Sequence, residues 1–511
     1  MRLKAVLIRP ASGEFSQLAA LFLQTYASVS VRPPGGRPKY NLRHLALVKS
    51  ISGIRGTLGG VAGDILTPQE IVNNTAAYGY WLARSGQTRK VVIGRDGRIS
   101  GSLVSGLVTQ TLRAVGIDVV DLDYSTTPTV EMAVKMEGAG GGIIITASHN
   151  PKEWNALKFL NHEGEFLSQA DNDAMQGYLY DNAIEYASVE KLGDHWTDNT
   201  YLHKHLAAIL ELPLVDADAV RAKGFNVVVD CINSTGALAV PPLLDELGVT
   251  YVLINETVNG QFQHKPEPLP KNLVQLAKAV TEHKAHLGIA VDPDVDRLAF
   301  VSEDGHMFGE EYTLVAIADY VLQHHPGGST VSNLSSTRAL ADVTAKHGGT
   351  YHASAVGEVN VVVKMKAVDA VIGGEGNGGV IVPGLHYGRD ALAGIALFLS
   401  HLAKFGKRAS YLRKTYPDYY IAKNKINKTD DFDLDRLFAG LKQKYRNEKL
   451  NDVDGLKIDL EDGWIHLRNS NTEPIVRIYT ESHSPVIANN LYKKISQDIT
   501  EIMGGQSQDQ D

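Results

Sequence analysis

Three acidic side chains at alternating positions are the first group in this sequence that points to chemistry. Asp292, Asp294 and Asp296 lie in VDPDVDR, between the apolar runs LGIAV and LAFV. Carboxylates this close repel one another unless a divalent cation neutralises them, and ligation by oxygen alone suits Mg²⁺ or Ca²⁺. An EF-hand is an alternative, because Glu303 falls at the twelfth position of that motif, but Arg297 stands where its turn requires glycine. A solvated acidic turn is a second alternative.

A serine follows the end of another apolar run. In GGIIITASHNP the β-forming residues give way to Ser148 and His149. A structural turn and a Ser-His-Asp hydrolase are alternatives, since a lone serine hydroxyl is a weak nucleophile and the G-x-S-x-G pattern is missing. His149 is included among the catalytic candidates, although adjacent side chains of an extended segment point apart. Lys158 can transfer protons if cationic neighbours depress its pKa, and is otherwise a surface lysine.

A polar loop near the C-terminus contains groups that bind anions. The segment RNSNTEP places one guanidinium, two hydroxyls and an amide close together, on Arg468, Ser470, Asn471 and Thr472. Such groups, with backbone N–H donors, can hold a phosphate. A plain hairpin turn is the alternative.

Other glycine-containing loops add polar groups. GGEGNGG carries Glu375 and Asn377, which can bind sugar hydroxyls, but it lacks the lysine and the spacing of a P-loop. SGIRG, which contains Arg55, and GRDGR place arginines among glycines and suit contacts with an anion.

The elements that must position these loops recur along the chain. Residues 91–123, 225–255 and 329–354 each read as a strand, a helix and a second strand, with a glycine at the helix end. This order is typical of a βαβ crossover. A further short strand after each unit leads into a polar loop, and ligands collect at such strand ends. The pattern predicts three similar mixed α/β domains whose loops meet in a central cleft.

The pattern changes from about residue 421. LKIDLEDGWIHLRNSNTEPIVRIYTES predicts two strands joined by a polar loop, and LYKKISQDITEIM predicts an amphipathic helix. We predict a disordered or dispensable extension at 1–47, α/β domains at 48–195, 196–302 and 303–420, and a smaller C-terminal α+β domain at 421–511. A secretory signal is the alternative for the extension, but its apolar part is interrupted by polar residues.

Composition excludes several classes of protein. The chain has 511 residues, 43% hydrophobic and 21% charged, with a formal net charge of -8, which is not typical of a nucleic-acid-binding protein. No stretch is long and apolar enough to span a bilayer. The single cysteine, Cys231, excludes an intrachain disulfide and a cysteine zinc site and favours a reducing, cytoplasmic location.

ITASHNP, DPDVDR and RNSNTEP, in this order and spacing, resemble the α-D-phosphohexomutase family of phosphoglucomutases, phosphomannomutases and phosphoglucosamine mutases. The resemblance covers about residues 48–500 and implies four domains around a cleft. It implies that Ser148 is phosphorylated in the active enzyme. It also implies that Asp292, Asp294 and Asp296 bind one Mg²⁺ ion together with a phosphoserine oxygen.

The same resemblance implies roles for the other loops. Arg55 and Lys158 match residues near the transferring phosphoryl group, with Lys158 as general acid or base, and Arg297 follows the metal loop as in the family. Glu375 and Asn377 match the sugar-binding loop. The loop that holds the substrate's own phosphate in the family is matched by Arg468, Ser470, Asn471 and Thr472.

One departure concerns the sugar loop. Many relatives have a histidine where this chain has Gly379, so a role in proton transfer is not carried over, although His386 could substitute. Asn377 replaces a serine of those relatives and resembles acetylglucosamine-phosphate mutases and archaeal-type relatives. This favours an amino-sugar substrate.

We therefore expect interconversion of hexose 6-phosphate and 1-phosphate through a phosphoserine and a sugar bisphosphate, which also acts as activator. The expected substrate is glucosamine 6-phosphate, and glucose or mannose phosphates are the alternative. A Mg²⁺-dependent phosphatase and a non-catalytic calcium or sugar-phosphate binder stay open. We expect a monomer or homodimer.

Overall fold

The structure is a computed structural model that describes residues 47–50, 53–60, 63, 65–181, 183–428, 432–470 and 475–504. The predicted extension therefore lies outside the described residues, except for Leu47. Among the helices of these ranges, none combines the length and the apolar character needed to cross a membrane.

The first α/β domain is built on a seven-stranded sheet. Its strands are β1 (Val48–Ser50), β2 (Gly53–Thr57), β3 (Lys90–Arg95), β4 (Asp118–Tyr124), β5 (Gly141–Ile145), β6 (Trp154–Leu160) and β7 (His195–Thr197). The strand order is β1-β2-β6-β5-β3-β4-β7. The helices are Pro68–Leu82, Gly101–Ala114, Thr127–Glu137 and Gln169–Tyr180, with a 3₁₀ turn at Val189–Lys191.

The second and third α/β domains each contain a four-stranded sheet. The second has β8 (Asn226–Asp230), β9 (Thr250–Ile254), β10 (Leu287–Val291) and β11 (Leu298–Ser302), with helices Tyr201–Leu210, Ala217–Lys223, Gly236–Glu246 and Val274–Glu282. The third has β12 (Ser329–Asn333), β13 (Thr350–Ser354), β14 (Ile372–Glu375) and β15 (Gly379–Ile381), with helices Glu310–His324, Ala339–Lys346, Glu358–Ala367, Ala391–Phe405 and Ala409–Arg413.

The same four-strand arrangement occurs in all three domains. The orders β4-β3-β5-β6, β9-β8-β10-β11 and β13-β12-β14-β15 correspond strand for strand, with the last pair antiparallel and the others parallel. Each crossover helix is followed by a left-handed glycine, at φ of 77°, 63° and 72° for Gly116, Gly248 and Gly348. The predicted repeat and fold class are confirmed. The domain boundaries stay predictions.

The C-terminal domain has an antiparallel sheet. Its strands are β16 (Tyr420–Asn427), β17 (Lys449–Asn451), β18 (Leu456–Leu460), β19 (Gly463–Asn469) and β20 (Ile475–Ser482), in the order β16-β20-β19-β18-β17, with helices Leu434–Lys444 and Pro485–Met503. The prediction of two strands in 456–482 was wrong, because the polar turn at Glu461 and Asp462 divides the first of them into the β18–β19 hairpin.

Two of the domains share one hydrophobic core. The cluster that contains Leu206 and Val227 of the second domain continues through Phe300 and Phe398 to Leu412 of the third. The helix Ala391–Phe405 (ALAGIALFLSHLAKF) is apolar around most of its circumference, so it is buried between them. The C-terminal domain has a core of its own, around Ile458, Ile465 and Ile478. The second and third domains therefore behave as one packed body, to which the C-terminal domain is attached.

Candidate active site

The three polar loops of the α/β domains occupy equivalent places. Each joins the third and fourth strands of the repeated arrangement, at residues 146–153, 292–297 and 376–378. The first two are in direct contact, because Ser148 Oγ donates a hydrogen bond of 2.7 Å to Asp292 Oδ2. The loops from different domains meet at one site.

Ser148 has a strained backbone that presents its hydroxyl. Its φ is 48°, a left-handed conformation that costs a non-glycine residue roughly 1–2 kcal/mol. Its N–H donates to Thr146 Oγ1 at 2.9 Å, and that hydroxyl donates to Asp96 Oδ2 at 2.7 Å. Such strain persists only where the surroundings over-determine the conformation.

Arg98 makes many of the contacts that hold the Ser148 backbone in this conformation. Its side chain is 1% exposed, and its Nε donates to Asp96 Oδ2 at 3.0 Å. The other four donors go to carbonyl oxygens of the serine loop, those of Ser148, Asn150, Pro151 and Trp154, at 2.5–2.8 Å. All five guanidinium N–H groups are thereby used. The expectation that GRDGR contacts an anion is wrong for Arg98, which has no donor left.

The metal loop is held by the domains around it. Pro293 O accepts hydrogen bonds from the hydroxyls of Ser234 and Thr235, at 2.6 and 2.8 Å. Thr127 of the first domain donates its backbone N–H to Asp294 O at 2.8 Å. Within the loop Val295 has a φ of 60°, which is rare for a β-branched residue. The loop is therefore a fixed scaffold and not a solvated turn.

The three aspartates are each 0% exposed and carry distinct partners. Asp292 Oδ1 accepts the N–H groups of Asp296 and Arg297, both at 3.1 Å. Asp294 Oδ2 accepts Lys158 Nζ at 2.8 Å. The EF-hand alternative is wrong, because the loop joins strands β10 and β11 and not two helices.

These carboxylates fit a divalent cation. One oxygen from each lies within 4.8 Å of the others. Asp294 Oδ1 and Asp296 Oδ1 are buried and have no hydrogen-bond partner in the part of the chain that the structure describes. Burial, followed by the charges of Asp296 and Asp294, raises the pKa of Asp292 well above its ordinary value. Unpartnered buried carboxylate oxygens are the ligand type that Mg²⁺ takes.

Cationic groups face this acidic cluster. Burial alone would lower the pKa of Lys158, but Asp294 and Asp296 outweigh it and raise the pKa above its ordinary value. The depressed pKa that proton abstraction would require is therefore not found for Lys158. Arg297 Nε is buried, and its nearest acid is Asp296 Oδ1 at 3.9 Å.

Arg55 and His149 lie among the same charges. Burial, then Arg297 and Arg389, lower the pKa of Arg55, so three guanidiniums are close together. The backbone of Arg55 belongs to strand β2, but its guanidinium makes no hydrogen bond or ion pair within the described ranges. Burial, then Arg297 and Arg55, lower the pKa of His149 well below its ordinary value, and its Nδ1 lies 3.4 Å from Ser148 Oγ. Guanidiniums that are not closely paired, such as that of Arg55, suit an anionic ligand.

The sugar loop reaches the metal loop through an arginine. Glu375 Oε1 accepts Asn333 Nδ2 at 2.8 Å, and Glu375 Oε2 accepts Arg389 Nη1 at 2.7 Å. Arg389 Nη2 donates to Asp296 Oδ2 at 2.6 Å. Asn377 lies beside the carboxylate, with Nδ2 3.4 Å from Glu375 Oε2.

The fourth loop belongs to the C-terminal domain. Arg468 Nη1 pairs with Asp454 Oδ2 at 3.2 Å, and the Ser470 N–H donates to Ile475 O at 3.0 Å. Asn471 and Thr472 lie outside the described residues. Ser148, the aspartates, Lys158, Arg297 and Glu375 are thus joined by contacts, whereas Arg468 makes none of its described hydrogen bonds with them.

Several residues of the site escaped the sequence analysis. Arg98 was interpreted as an anion-binding residue, and Thr127, Arg389 and Glu358 carried no recognisable motif. His386, which the sequence did suggest as a substitute for the family histidine, contacts two carboxylates, with Nδ1 3.4 Å from Glu131 Oε2 and Nε2 3.3 Å from Asp390 Oδ2. For Arg389 the sequence offers one signal: it forms an Arg-Asp pair with Asp390, which caps the apolar helix Ala391–Phe405.

Comparisons with known proteins agree along the chain. Models of the phosphoglucomutase/phosphomannomutase family match in order: α/β/α domain I at 48–182, domain II at 203–305, domain III at 309–420 and the C-terminal domain at 429–497. The phosphoglucomutase/phosphomannomutase of Thermococcus kodakarensis is 34% identical over 84% of this chain and 94% of its own. The probable phosphoglucosamine mutase of Methanopyrus kandleri is 33% identical over 86% and 95%.

A solved structure agrees as well. The phosphoglucomutase/phosphomannomutase family protein of Burkholderia thailandensis superimposes with a TM-score of 0.78 at 25% identity, covering 89% of this chain and 97% of the other. The repeated fold and these relatives define an enzyme, a phosphosugar mutase of the isomerase class. The chain belongs to the α-D-phosphohexomutase family, as its motifs predict.

Proposed function

We propose that this chain converts glucosamine 6-phosphate to glucosamine 1-phosphate through phospho-Ser148. One contact carries the proposal: the 2.7 Å hydrogen bond from Ser148 Oγ to Asp292 Oδ2, made across 144 residues of sequence. A phosphoryl group on that oxygen would lie beside three buried carboxylates that need a cation. Mg²⁺ held there by Asp292, Asp294 and Asp296 would polarise a phosphoryl oxygen.

The reaction has two transfers. First the P–Oγ bond of phospho-Ser148 breaks and a bond to the C1 hydroxyl oxygen forms, giving the 1,6-bisphosphate. The intermediate then turns around, and its 6-phosphoryl returns to Ser148. In each transfer one proton moves between the sugar hydroxyl and Oγ. In the first transfer Lys158 would give its proton to the leaving Oγ and then, as the neutral amine, take the proton of the sugar hydroxyl; in the second transfer Oγ and the sugar oxygen exchange these roles.

Positioning and charge supply most of the rate in phosphoryl transfer. Arg55 and Arg297 would stabilise the charge on the transferring group, since among the described residues the Arg55 guanidinium pairs with no carboxylate and Arg297 pairs only with Asp296, at 3.9 Å. His149, neutral and next to Ser148, would contribute a hydrogen bond. The metal loop is held rigidly, so its ligands require little reorganisation.

The turning step needs a second phosphate site that accepts either end of the sugar. We assign it to the fourth loop, through the side chains of Arg468, Ser470, Asn471 and Thr472. Because the C-terminal domain has its own core, it can close on the bisphosphate while the shared core of the second and third domains stays fixed.

Two observations bear on the sugar. Asn377 lies beside Glu375, whose pKa burial would raise but Arg389 and Arg297 lower, so the negative charge of this carboxylate would attract the ammonium of glucosamine. The name of the Methanopyrus kandleri relative supports this substrate. The name of the Thermococcus kodakarensis relative favours the alternative, glucose or mannose phosphate.

Initial rates on the 6-phosphates of glucosamine, glucose and mannose test the proposal. A trace of the matching 1,6-bisphosphate is added to phosphorylate the serine. We expect the highest kcat/KM with glucosamine 6-phosphate. A large preference for mannose 6-phosphate would contradict the choice of sugar, and release of inorganic phosphate without 1-phosphate would indicate a phosphatase.

Ser148→Ala tests the covalent step. The variant should lose turnover and show no phosphopeptide at this position. Ser102→Ala is the matched control, since Ser102 is exposed on the helix Gly101–Ala114 and should keep both turnover and the phosphopeptide. Undiminished turnover in Ser148→Ala would exclude the phosphoserine.

A further inference from the structure

Arg389 is a buried arginine that joins loops from two domains. It is 7% exposed. Its Nη2 donates to Asp296 Oδ2 of the metal loop at 2.6 Å, and its Nη1 donates to Glu375 Oε2 of the sugar loop at 2.7 Å. A planar guanidinium fixes the relative position of two carboxylates in a way that a lysine ammonium does not.

A third carboxylate fixes the arginine itself. Glu358 Oε2 lies 3.2 Å from Arg389 Nε, and Glu358 Oε1 accepts the Arg389 backbone N–H at 3.0 Å. The backbone of Arg389 also forms a bridge with Ile381, at the end of strand β15. The guanidinium has thus little freedom to move away from either loop.

The contact with Arg389 makes the two carboxylate oxygens of Asp296 unequal. Arg389 occupies Oδ2, while Oδ1 is buried without a hydrogen-bond partner in the ranges described. The arginine therefore leaves Oδ1 as the oxygen of Asp296 that a cation would use. At Glu375 both oxygens are engaged: Oε2 accepts from Arg389 and Oε1 accepts from Asn333 Nδ2, so the arginine fixes the position of the carboxylate.

Gly379 provides the space for this arginine. A Cβ at Gly379 would lie 2.3 Å from Arg389 Cδ and 3.0 Å from Arg389 Cγ, closer than carbon atoms approach. The arginine stem thus fills the place of a side chain at 379. Gly379 pairs with Glu375 across the β14–β15 turn, so a displacement of Gly379 would also move Glu375 of the sugar loop.

We propose that Arg389 is a positioning residue that couples the metal loop to the sugar loop, with Gly379 as its matched partner. Binding of Mg²⁺ and binding of the hexose phosphate then strengthen each other, because each orders a carboxylate that the same guanidinium holds. Such coupling is reciprocal and amounts to about 5- to 150-fold in affinity. The inference rests on the proposed function only for the identity of the sugar ligand.

Calorimetry in a Ser148→Ala background tests this without turnover. Mg²⁺ is titrated alone, and glucosamine 6-phosphate and glucose 6-phosphate are titrated with and without Mg²⁺. We expect Mg²⁺ to raise the sugar-phosphate affinity at least about fivefold. In Arg389→Lys the Mg²⁺ affinity should fall about 10- to 100-fold, as for other groups that orient metal ligands, and the ratio of sugar affinities should approach one.

Gly379→Ala is the second variant, and it changes no charge. Its Cβ displaces Arg389, so it should reproduce the loss of coupling, and it decides the matter if Arg389→Lys does not fold. Arg413→Lys is the matched control, because Arg413 also binds a carbonyl and a carboxylate, Phe308 O and Asp418, but outside the site.

The inference would be overturned if both variants kept the Mg²⁺ affinity and the ratio of sugar-phosphate affinities with and without Mg²⁺. It would also be overturned if that ratio were near one in the Ser148→Ala background itself. If no hexose phosphate binds any variant, the proposed function fails instead. The Mg²⁺ titrations then still decide the role of Arg389.

Discussion

Arg98 fixes the backbone on which Ser148 lies, and Arg98→Met tests that role. The change leaves the Asp96 carboxylate buried with its charge uncompensated, and four loop carbonyls lose their donor. Removing one partner of a buried ion pair costs about 3–5 kcal/mol. Because Arg98 is 1% exposed, solvent gives little relief. We therefore expect a loss of about 3–5 kcal/mol in the local stability of the serine loop.

Hydrogen exchange measured on peptides of the serine loop is the suitable assay, since a chain of several domains has no single free energy of unfolding. A loss of 3 kcal/mol lowers protection by roughly 100-fold or more, at about 1.4 kcal/mol for each factor of ten. Turnover should fall by a similar factor, because displacing a reacting group by about 1 Å costs about 100-fold.

The same segment supplies a control. Arg95→Met removes a pair with Asp123, whose side chain is 54% exposed, and should change the stability by less than about 1 kcal/mol. The double variant Asp96→Asn/Arg98→Met should lose less stability than the sum of the losses in the two single variants, because it leaves no uncompensated charge on Asp96. Protection within tenfold of the parent, with normal turnover, would refute the role of Arg98.

Three further predictions concern other groups. Burial lowers the pKa of His466 to about 4. Below pH 6.5 the unfolded chain therefore binds a proton at this histidine while the folded domain does not. Up to about 3 kcal/mol of folding stability is thus present above pH 6.5 and lost as the pH falls toward 4. Thermal unfolding of His466→Gln between pH 7 and 4.5 should show a smaller loss than the parent, and an equal loss would contradict this. Lys158→Met should lower kcat about 100-fold or more with a nearly unchanged KM in steady-state assays, and an unchanged kcat would exclude it as proton carrier. Without Mg²⁺, Asp292→Asn should unfold at a higher temperature than the unmutated protein, because it relieves repulsion among the aspartates. Added Mg²⁺ should raise its unfolding temperature by less, because a ligand is missing. An equal rise in both proteins would contradict the role of Asp292 as a ligand.

Local patterns predicted the repeated fold well. Strand, helix and strand were readable because apolar runs, glycine helix ends and polar loops all depend on neighbours in sequence. The family assignment followed from short motifs and is confirmed. The division at Glu461 and Asp462 was not recognised, because two polar residues look alike within a loop and at the tip of a hairpin.

The supporting residues were not predictable in the same way. Arg98 and Arg389 look like exposed charges in sequence, and only contacts across 50 and 93 residues show that they are buried. The shared core of the second and third domains likewise depends on where Ala391–Phe405 packs. The chemical groups were visible in the sequence, whereas the groups that orient them were not.

The central claim is that a phosphoryl group on Ser148 lies within reach of an ion held by Asp292, Asp294 and Asp296. Phosphorus NMR of the phosphorylated protein with one equivalent of Mn²⁺ tests it most directly. We expect the phosphoserine resonance to broaden beyond detection, and to stay sharp in Asp292→Asn. A resonance that stays sharp in the unmutated protein with Mn²⁺ bound would show that the phosphoserine and the ion are not neighbours.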